Sequence, residues 1–183
     1  PILAGLSHLR GIDPKSAEQI RVRFLGFTPE CSHQIVERLG LTKQVQFVGV
    51  VERSVALKEM KNADAQLIVQ VAWADDTRPM PYVPGKVYDC IASGAPIFAP
   101  VGPGDLRDIL SHASKAYVCD YRSPADIAQK LKQMLDDREQ RRVSETDDMW
   151  LHRYERKELT RNLASVFDWV LGSNSAPSRV QPE

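Results

Sequence analysis

One stretch of this chain sets a glycine, a lysine and a carboxylate around a predicted helix start: Tyr82-Val83-Pro84-Gly85-Lys86-Val87-Tyr88-Asp89-Cys90-Ile91-Ala92-Ser93-Gly94-Ala95-Pro96-Ile97. The pattern predicts a helix from about Pro84 to Ser93, ended by Gly94 at its C′ position. A helix start presents N–H groups without intrahelical partners and a partial positive charge, which suits a phosphate. Gly85 would let the phosphate reach the backbone, and Lys86 would add a full charge beside it. Asp89 comes three residues later on the same helical face, where its carboxylate can accept hydrogen bonds from ribose hydroxyls. The same two charges can also be an i,i+3 ion pair on a solvated helix, and the spacing alone leaves both readings open.

The elements that must position these residues alternate regularly. Strands are expected at 21–26, 45–49, 65–71, 95–99 and 115–119. Between them, Thr28 reads as an N-cap followed by Pro29 at N1, opening a helix to about Leu39. Ser54 reads as the cap of a helix through about Asn62, and residues 104–112 form another. Ser123 and Asp126 resemble a capping box, with Asp in place of Glu, for a helix to about Asp137. At the front, Leu3, Leu6, Leu9 and Ile12 read as one helix, followed by Asp13-Pro14. At the back, Leu159, Leu163, Val166, Phe167 and Val170 fall at helical spacing, with Trp150 and Tyr154 earlier on the same stripe.

Strand–helix alternation of this kind implies parallel strands joined by crossover helices that cover both faces of the sheet. The strands are nearly continuous apolar runs, as buried parallel strands should be. The expected fold is therefore α/β, a Rossmann-like parallel sheet with helices on both faces. It should form one domain over 1–171, with a disordered tail at 172–183, because Gly172-Ser173-Asn174-Ser175-Ala176-Pro177-Ser178 is too small and polar to offset its ordering entropy. Ligands bind beyond the carboxyl ends of such strands. Gly26, Gly49 and Gly102-Pro103-Gly104 let the backbone come close to a ligand there, although glycine is equally ordinary turn chemistry at strand ends.

Composition narrows the function classes. The 183 residues carry 24 Lys plus Arg against 24 Asp plus Glu, so net charge gives no reason to expect a nucleic acid partner. Cys31, Cys90 and Cys119 are far apart and lack Cys/His ligand spacing, which argues against structural zinc and for buried free thiols in a reducing compartment. No apolar stretch is long enough to span a bilayer and no signal peptide opens the chain, so a cytoplasmic location is expected. Asp75-Asp76 reads as part of a solvated loop, not as a metal site, and the four histidines are dispersed: His8, His33, His112 and His152.

From about residue 22 to 135 the chain resembles the C-terminal domain of GT-B glycosyltransferases of the retaining, GT4-like type. The matching features come in order. They are a strand ending Phe24-Leu25-Gly26, then Val45-Gln46-Phe47-Val48-Gly49-Val50-Val51, then Leu57-Lys58-Glu59-Met60-Lys61-Asn62-Ala63-Asp64-Ala65 before a strand. Last and most specific is Pro84-Gly85-Lys86-Val87-Tyr88-Asp89 running through Ala92-Ser93-Gly94 to Pro96. The resemblance implies one half of a GT-B fold and a donor site for a nucleotide diphosphate sugar. Asp89 would bind the ribose, and the backbone of Val50 and Val51 would hold the base. Gly26, Gly85 and Lys86 would line the nucleotide site, with Lys86 stabilising the leaving diphosphate in place of a metal, so no cofactor is expected. Two departures accompany the match. The family pattern of two acids separated by seven residues has Pro81 at the first place, and the second acid is Asp instead of Glu. The domain's first strand and its phosphate loop also do not precede the first helix.

The resemblance therefore implies as partners a nucleotide-sugar donor and an N-terminal acceptor domain outside this sequence, which would make any peripheral membrane contact. A homodimer through the gap left by the first strand is a further option. The chain alone should catalyse nothing. Two alternatives stand beside this reading: a sugar-nucleotide epimerase of the same architecture, and a non-catalytic α/β interaction or regulatory domain.

Overall fold

A computed structural model of the chain describes residues 1–70, 79–113, 115–140 and 154–172. Asp75-Asp76, Trp150, His152 and the tail from residue 173 onward lie outside the described residues. The chain divides into two units, Pro1–Thr146 and Asp147–Glu183.

The first unit holds seven helices and five strands among its described residues, in the order α1 (Ile2–Ile12), α2 (Pro14–Gln19), β1 (Val22–Leu25), α3 (Glu30–Arg38), β2 (Val45–Gly49), α4 (Arg53–Asn62), β3 (Gln66–Leu67), α5 (Lys86–Ala92), β4 (Ile97–Val101), α6 (Asp105–Ser111), β5 (Ala116–Asp120) and α7 (Pro124–Glu139). Among the described residues every strand pairing is parallel. The strands form a pair, β1-β2, and a separate three-stranded sheet in the order β3-β4-β5. In the pair, Val22 faces Val45 and Phe24 faces Phe47, and a bulge then sets Leu25 opposite Gly49. In the triplet β4 is central and buried along its whole length, which explains its unbroken apolar run Ile97-Phe98-Ala99-Pro100-Val101. The expected α/β architecture is present, with parallel strands flanked by helices, and the sheet falls into two pieces.

Both pieces share one core. Leu6, Leu9, Leu41, Ile127 and Leu131 join Val45 of the pair with Phe98 and Cys119 of the triplet. A fully buried Leu or Ile contributes roughly 1.5–3 kcal/mol relative to exposure, so this cluster supplies a large share of the fold's stability. Helices α1 and α7 pack directly against each other. A Cβ on Gly5 would lie 2.5 Å from Ile127 Cβ and closer still to its Cγ2, so only glycine lets the two helices meet at this separation.

The expected front helix forms as α1, with Leu6 and Leu9 buried and Ile12 66% exposed. Each three-residue step falls about 60° short of a full helical turn, so Leu3 and Ile12 lie on opposite sides. Several local expectations shift. Thr28 does not cap α3: the helix begins at Glu30, with Pro29 in the N-cap position and no side-chain cap. Ser54 does not cap α4, which starts one residue earlier at Arg53 behind Glu52. Ser123 does cap α7, accepting from the Asp126 N–H. The Asp126 carboxylate, however, accepts from the Asp120 N–H at 2.7 Å, tying the end of β5 to α7 in place of closing the box. Cys90 and Cys119 are buried but Cys31 is exposed, because α3 buries only Val36.

The short α2 escapes periodicity, yet Asp13 caps it through both the N–H and the hydroxyl of Ser16. The Lys132 ammonium on α7 also bonds that carboxylate. The Lys132 bond first, and then the Ser16 bonds, bring the Asp13 pKa down from 3.8 to about 2. A depressed carboxylate pKa contributes stability that is complete above the unfolded value and lost as pH falls through the folded one. Acid denaturation should therefore gain slope between about pH 4 and pH 2 from this group. Asp13→Asn is expected to flatten that part of the stability profile, read by thermal melts at stepped pH; an unchanged slope would contradict the assignment.

The second unit contains one described helix, α8 (Arg156–Val170). The expected apolar stripe is present as Leu159, Leu163, Val166, Phe167 and Val170, all exposed, and none of the helix's residues is buried. Tyr154 precedes the helix. No helix among the described residues is long and apolar enough to cross a membrane.

Candidate functional site

The carboxyl ends of β1 and β2 are two glycine turns. Gly26 and Gly49 have φ of 118° and 84°, a region that L side chains rarely enter. The Gly26 N–H donates to the Gly49 carbonyl at 2.7 Å, which stitches the turns together. Val50 follows, 82% exposed, and Val51 is half-buried. Phe27, directly after Gly26, is 86% exposed; sequence reasoning passed over it, though an aromatic just past a strand-ending glycine is a readable signal.

At the carboxyl end of β4, the Gly102-Pro103-Gly104 turn is held from two sides. The Gln70 side chain is buried and its Oε1 accepts from the Gly102 N–H at 3.2 Å. Its Nε2 has no partner among the described residues. On the other side Met80 bridges to Gly104: its N–H donates to the Pro103 carbonyl at 3.0 Å and its carbonyl accepts from Asp105 at 3.3 Å. Gly104 takes φ 130° in that contact. The segment leading into α5 is thereby clamped onto the end of the central strand. Neither Gln70 nor Met80 stands out in the sequence, because a lone amide at a strand end and a lone Met in a loop carry no pattern.

Helix α5 is short, Lys86–Ala92, two residues inside its expected start, and Gly94 at φ 68° ends it as expected. Val87, Cys90 and Ile91 are buried and fix the helix against the unit. That anchoring leaves Lys86 and Asp89 on the outward side, both exposed. No ion pair joins them. The i,i+3 pair that the spacing allowed is therefore not formed. Burial pushes the Cys90 thiol pKa up, with the nearby Lys86 charge working against it and Asp89 adding to it. The helix start has fewer open donors than the usual four, because two of them bond to nearby carbonyls. The N–H groups of Val87 and Tyr88 turn back to the carbonyls of Pro84 and Gly85 at 3.0 and 3.3 Å. Those of Gly85 and Lys86 are left without a backbone partner among the described residues.

Gly85 itself has ordinary right-handed φ and ψ of −55° and −29°, and nothing lies within 4 Å of a Cβ placed on it. The fold therefore has no conformational or packing need for glycine at this position. Pro81 and Tyr82, upstream of the helix, are exposed. Among the described residues, no group of three or more His, Cys, Asp or Glu gathers closely enough to hold a metal. The structure thus forms a stitched glycine pair after β1 and β2, a clamped turn after β4, and an outward Lys86–Asp89 face after the clamped segment.

No family model matches the sequence, and no curated protein sequence matches it. Solved structures do. Anabaena Alr3699/HepE in complex with UDP superposes with a TM-score of 0.66 at 17% identity, over 90% of this chain and 44% of that one. The same protein in complex with UDP-glucose gives 0.59 at 17%, over 87% and 45%. A glycosyltransferase from Rickettsia africae ESF-5 gives 0.64 at 12% identity, over 94% and 44%. The chain thus spans less than half the length of the structures it resembles, and its α/β fold of helix-flanked parallel strands is that of about one half of these proteins.

Proposed function

We propose that this chain is the donor-binding half of a GT-B glycosyltransferase of the retaining, GT4-like type, using a nucleotide diphosphate sugar. The observation that carries the reading is Gly85: a glycine that the backbone does not require, directly before an outward Lys86 and Asp89. Absence of a side chain there serves a ligand that comes up to the backbone. The likeness to structures that contain UDP and UDP-glucose supports the same reading.

In this site the Gly85 and Lys86 N–H groups and the Lys86 ammonium receive the diphosphate. As the sugar leaves, negative charge grows on the bridging oxygen, and these fixed donors stabilise it more than they stabilise the bound donor. Lys86 is the catalytic group in this sense and stands where a metal would otherwise be needed. Asp89 accepts from the ribose hydroxyls. Gly26, Val50 and Val51 border the base. The acceptor is held by a second domain, so the chain alone transfers no sugar.

Titration calorimetry with UDP, GDP and ADP tests this. Lys86→Ala and Asp89→Ala are each expected to weaken the preferred nucleotide about tenfold, since a hydrogen bond to a charged group is worth about 1.5–3 kcal/mol. Both side chains are exposed, so melting temperatures should stay unchanged. Equal affinity in wild type and both variants would refute the assignment. Pro81 favours a second reading, because a proline occupies the position where the family pattern has its first acid. On that reading the domain is a non-catalytic interaction module, and none of the three nucleotides binds.

A further inference from the structure

Phe27 and Val50 are the most exposed large apolar side chains among the described residues of the first unit, at 86% and 82%. Isolated apolar residues on a surface need no explanation. These two stand on adjacent turns joined by the Gly26–Gly49 hydrogen bond, at the carboxyl ends of parallel strands, where ligands of open α/β sheets bind. Nothing lies within 4 Å of a Cβ placed on Gly26 or on Gly49, so the backbone between the two side chains is open to approach. The N–H groups of Val50 and Val51 have no backbone partner among the described residues.

A flat apolar face beside free backbone donors matches a heteroaromatic ring better than an aliphatic or purely apolar partner. The ring's face gains dispersion on the phenyl group, and acceptors on its edge take up the N–H groups. We propose that Phe27 is the stacking platform for the base of the donor nucleotide, with the Val50 side chain bordering the same ring. This rests on the donor-site reading above and adds to it a base-binding residue. Because every base has a π-face, stacking on Phe27 sets the strength of base binding. Discrimination between bases then falls to the edge contacts.

The test separates base from phosphate. UDP, GDP and ADP, and the base-free probes pyrophosphate and ribose 5-phosphate, are titrated onto the wild-type protein and onto Phe27→Ala and Phe27→Trp. Phe27→Ala is expected to weaken the bound nucleoside diphosphate about tenfold and leave pyrophosphate and ribose 5-phosphate within twofold. Phe27→Trp is expected to restore or exceed wild-type affinity. The melting temperature should not change, because the side chain contributes little to the core. Nucleotide affinity unaltered in Phe27→Ala overturns the stacking role while leaving the donor site standing. Equal losses for nucleotide and pyrophosphate also overturn it, since the residue would then act on the phosphate end. A wild-type protein that binds no nucleoside diphosphate overturns both readings together.

Discussion

Gly104→Ala should destabilise the protein by about 3 kcal/mol and abolish whatever ligand binding depends on the α5 segment. Two costs combine. At φ 130° and ψ −174° the residue occupies a region open essentially to glycine alone. Its Cβ would also lie 2.5 Å from the Met80 nitrogen, 2.9 Å from the Met80 carbonyl carbon and closer still to the carbonyl oxygen. A clash with a flexible side chain relaxes cheaply, but these atoms are backbone held by two hydrogen bonds, Met80 N–H to Pro103 and Asp105 N–H to Met80. Relief requires the clamp to open. Denaturant melts measure the first effect and nucleotide titration the second. Gly11→Ala is the control. It lies in α1 with nothing within 4 Å of its added Cβ and should gain up to about 1 kcal/mol from helix propensity. A Gly104 variant as stable as wild type would mean that the Met80 clamp does not exist in solution.

Gly5→Ala is the second large effect, on the fold instead of the site. The added methyl collides with Ile127, which is fully buried, so α1 and α7 must separate or Ile127 must leave its place. Overpacking of this kind costs about 1–3 kcal/mol. Ile127→Ala alone should cost about 2–5 kcal/mol through the lost side chain and its cavity. The double variant should be less destabilised than the sum, by about 1 kcal/mol, because Ile127→Ala removes the Cγ2 that meets the new methyl. Full relief is not expected, since the Ile127 Cβ remains 2.5 Å away. Strict additivity in chemical denaturation would show that the two positions do not touch.

Some of this was readable in advance, and the reasons are specific. Strands ending at Gly26 and Gly49, the stop of α5 at Gly94 and the Ser123 cap are local matters, set by φ and by one side-chain bond. Thr28 and Ser54 misled because a cap depends on where the backbone first turns helical. Pro29 takes the N-cap place in one case and Arg53 enters the helix early in the other. Leu3, Leu6, Leu9 and Ile12 mark the front helix, which forms as α1, while their 3-3-3 spacing walks around it and leaves Ile12 in solvent. Parallel strands were evident from alternation, whereas the division into β1-β2 and β3-β4-β5 depends on pairing partners that no hydrophobic pattern encodes.

At the site, Gly85, Lys86 and Asp89 carried their own signal as a glycine and two charges at a helix start. The Gln70–Gly102 bond spans 32 positions and the Met80–Gly104 bridge 24, and contacts at such range leave no mark on either segment alone. The Gly85 argument likewise needs coordinates. Glycine before a helix is unremarkable until its φ turns out to suit any residue.

That glycine gives the most direct test of a diphosphate seated at the start of α5. Gly85→Ala should leave denaturant stability within about 0.5 kcal/mol of wild type, because its backbone is right-handed and its surroundings are open. In titration calorimetry the same variant should lose at least tenfold in affinity for the nucleoside diphosphate that wild type binds best. Undiminished affinity with unchanged stability would place the phosphates elsewhere and contradict the donor site.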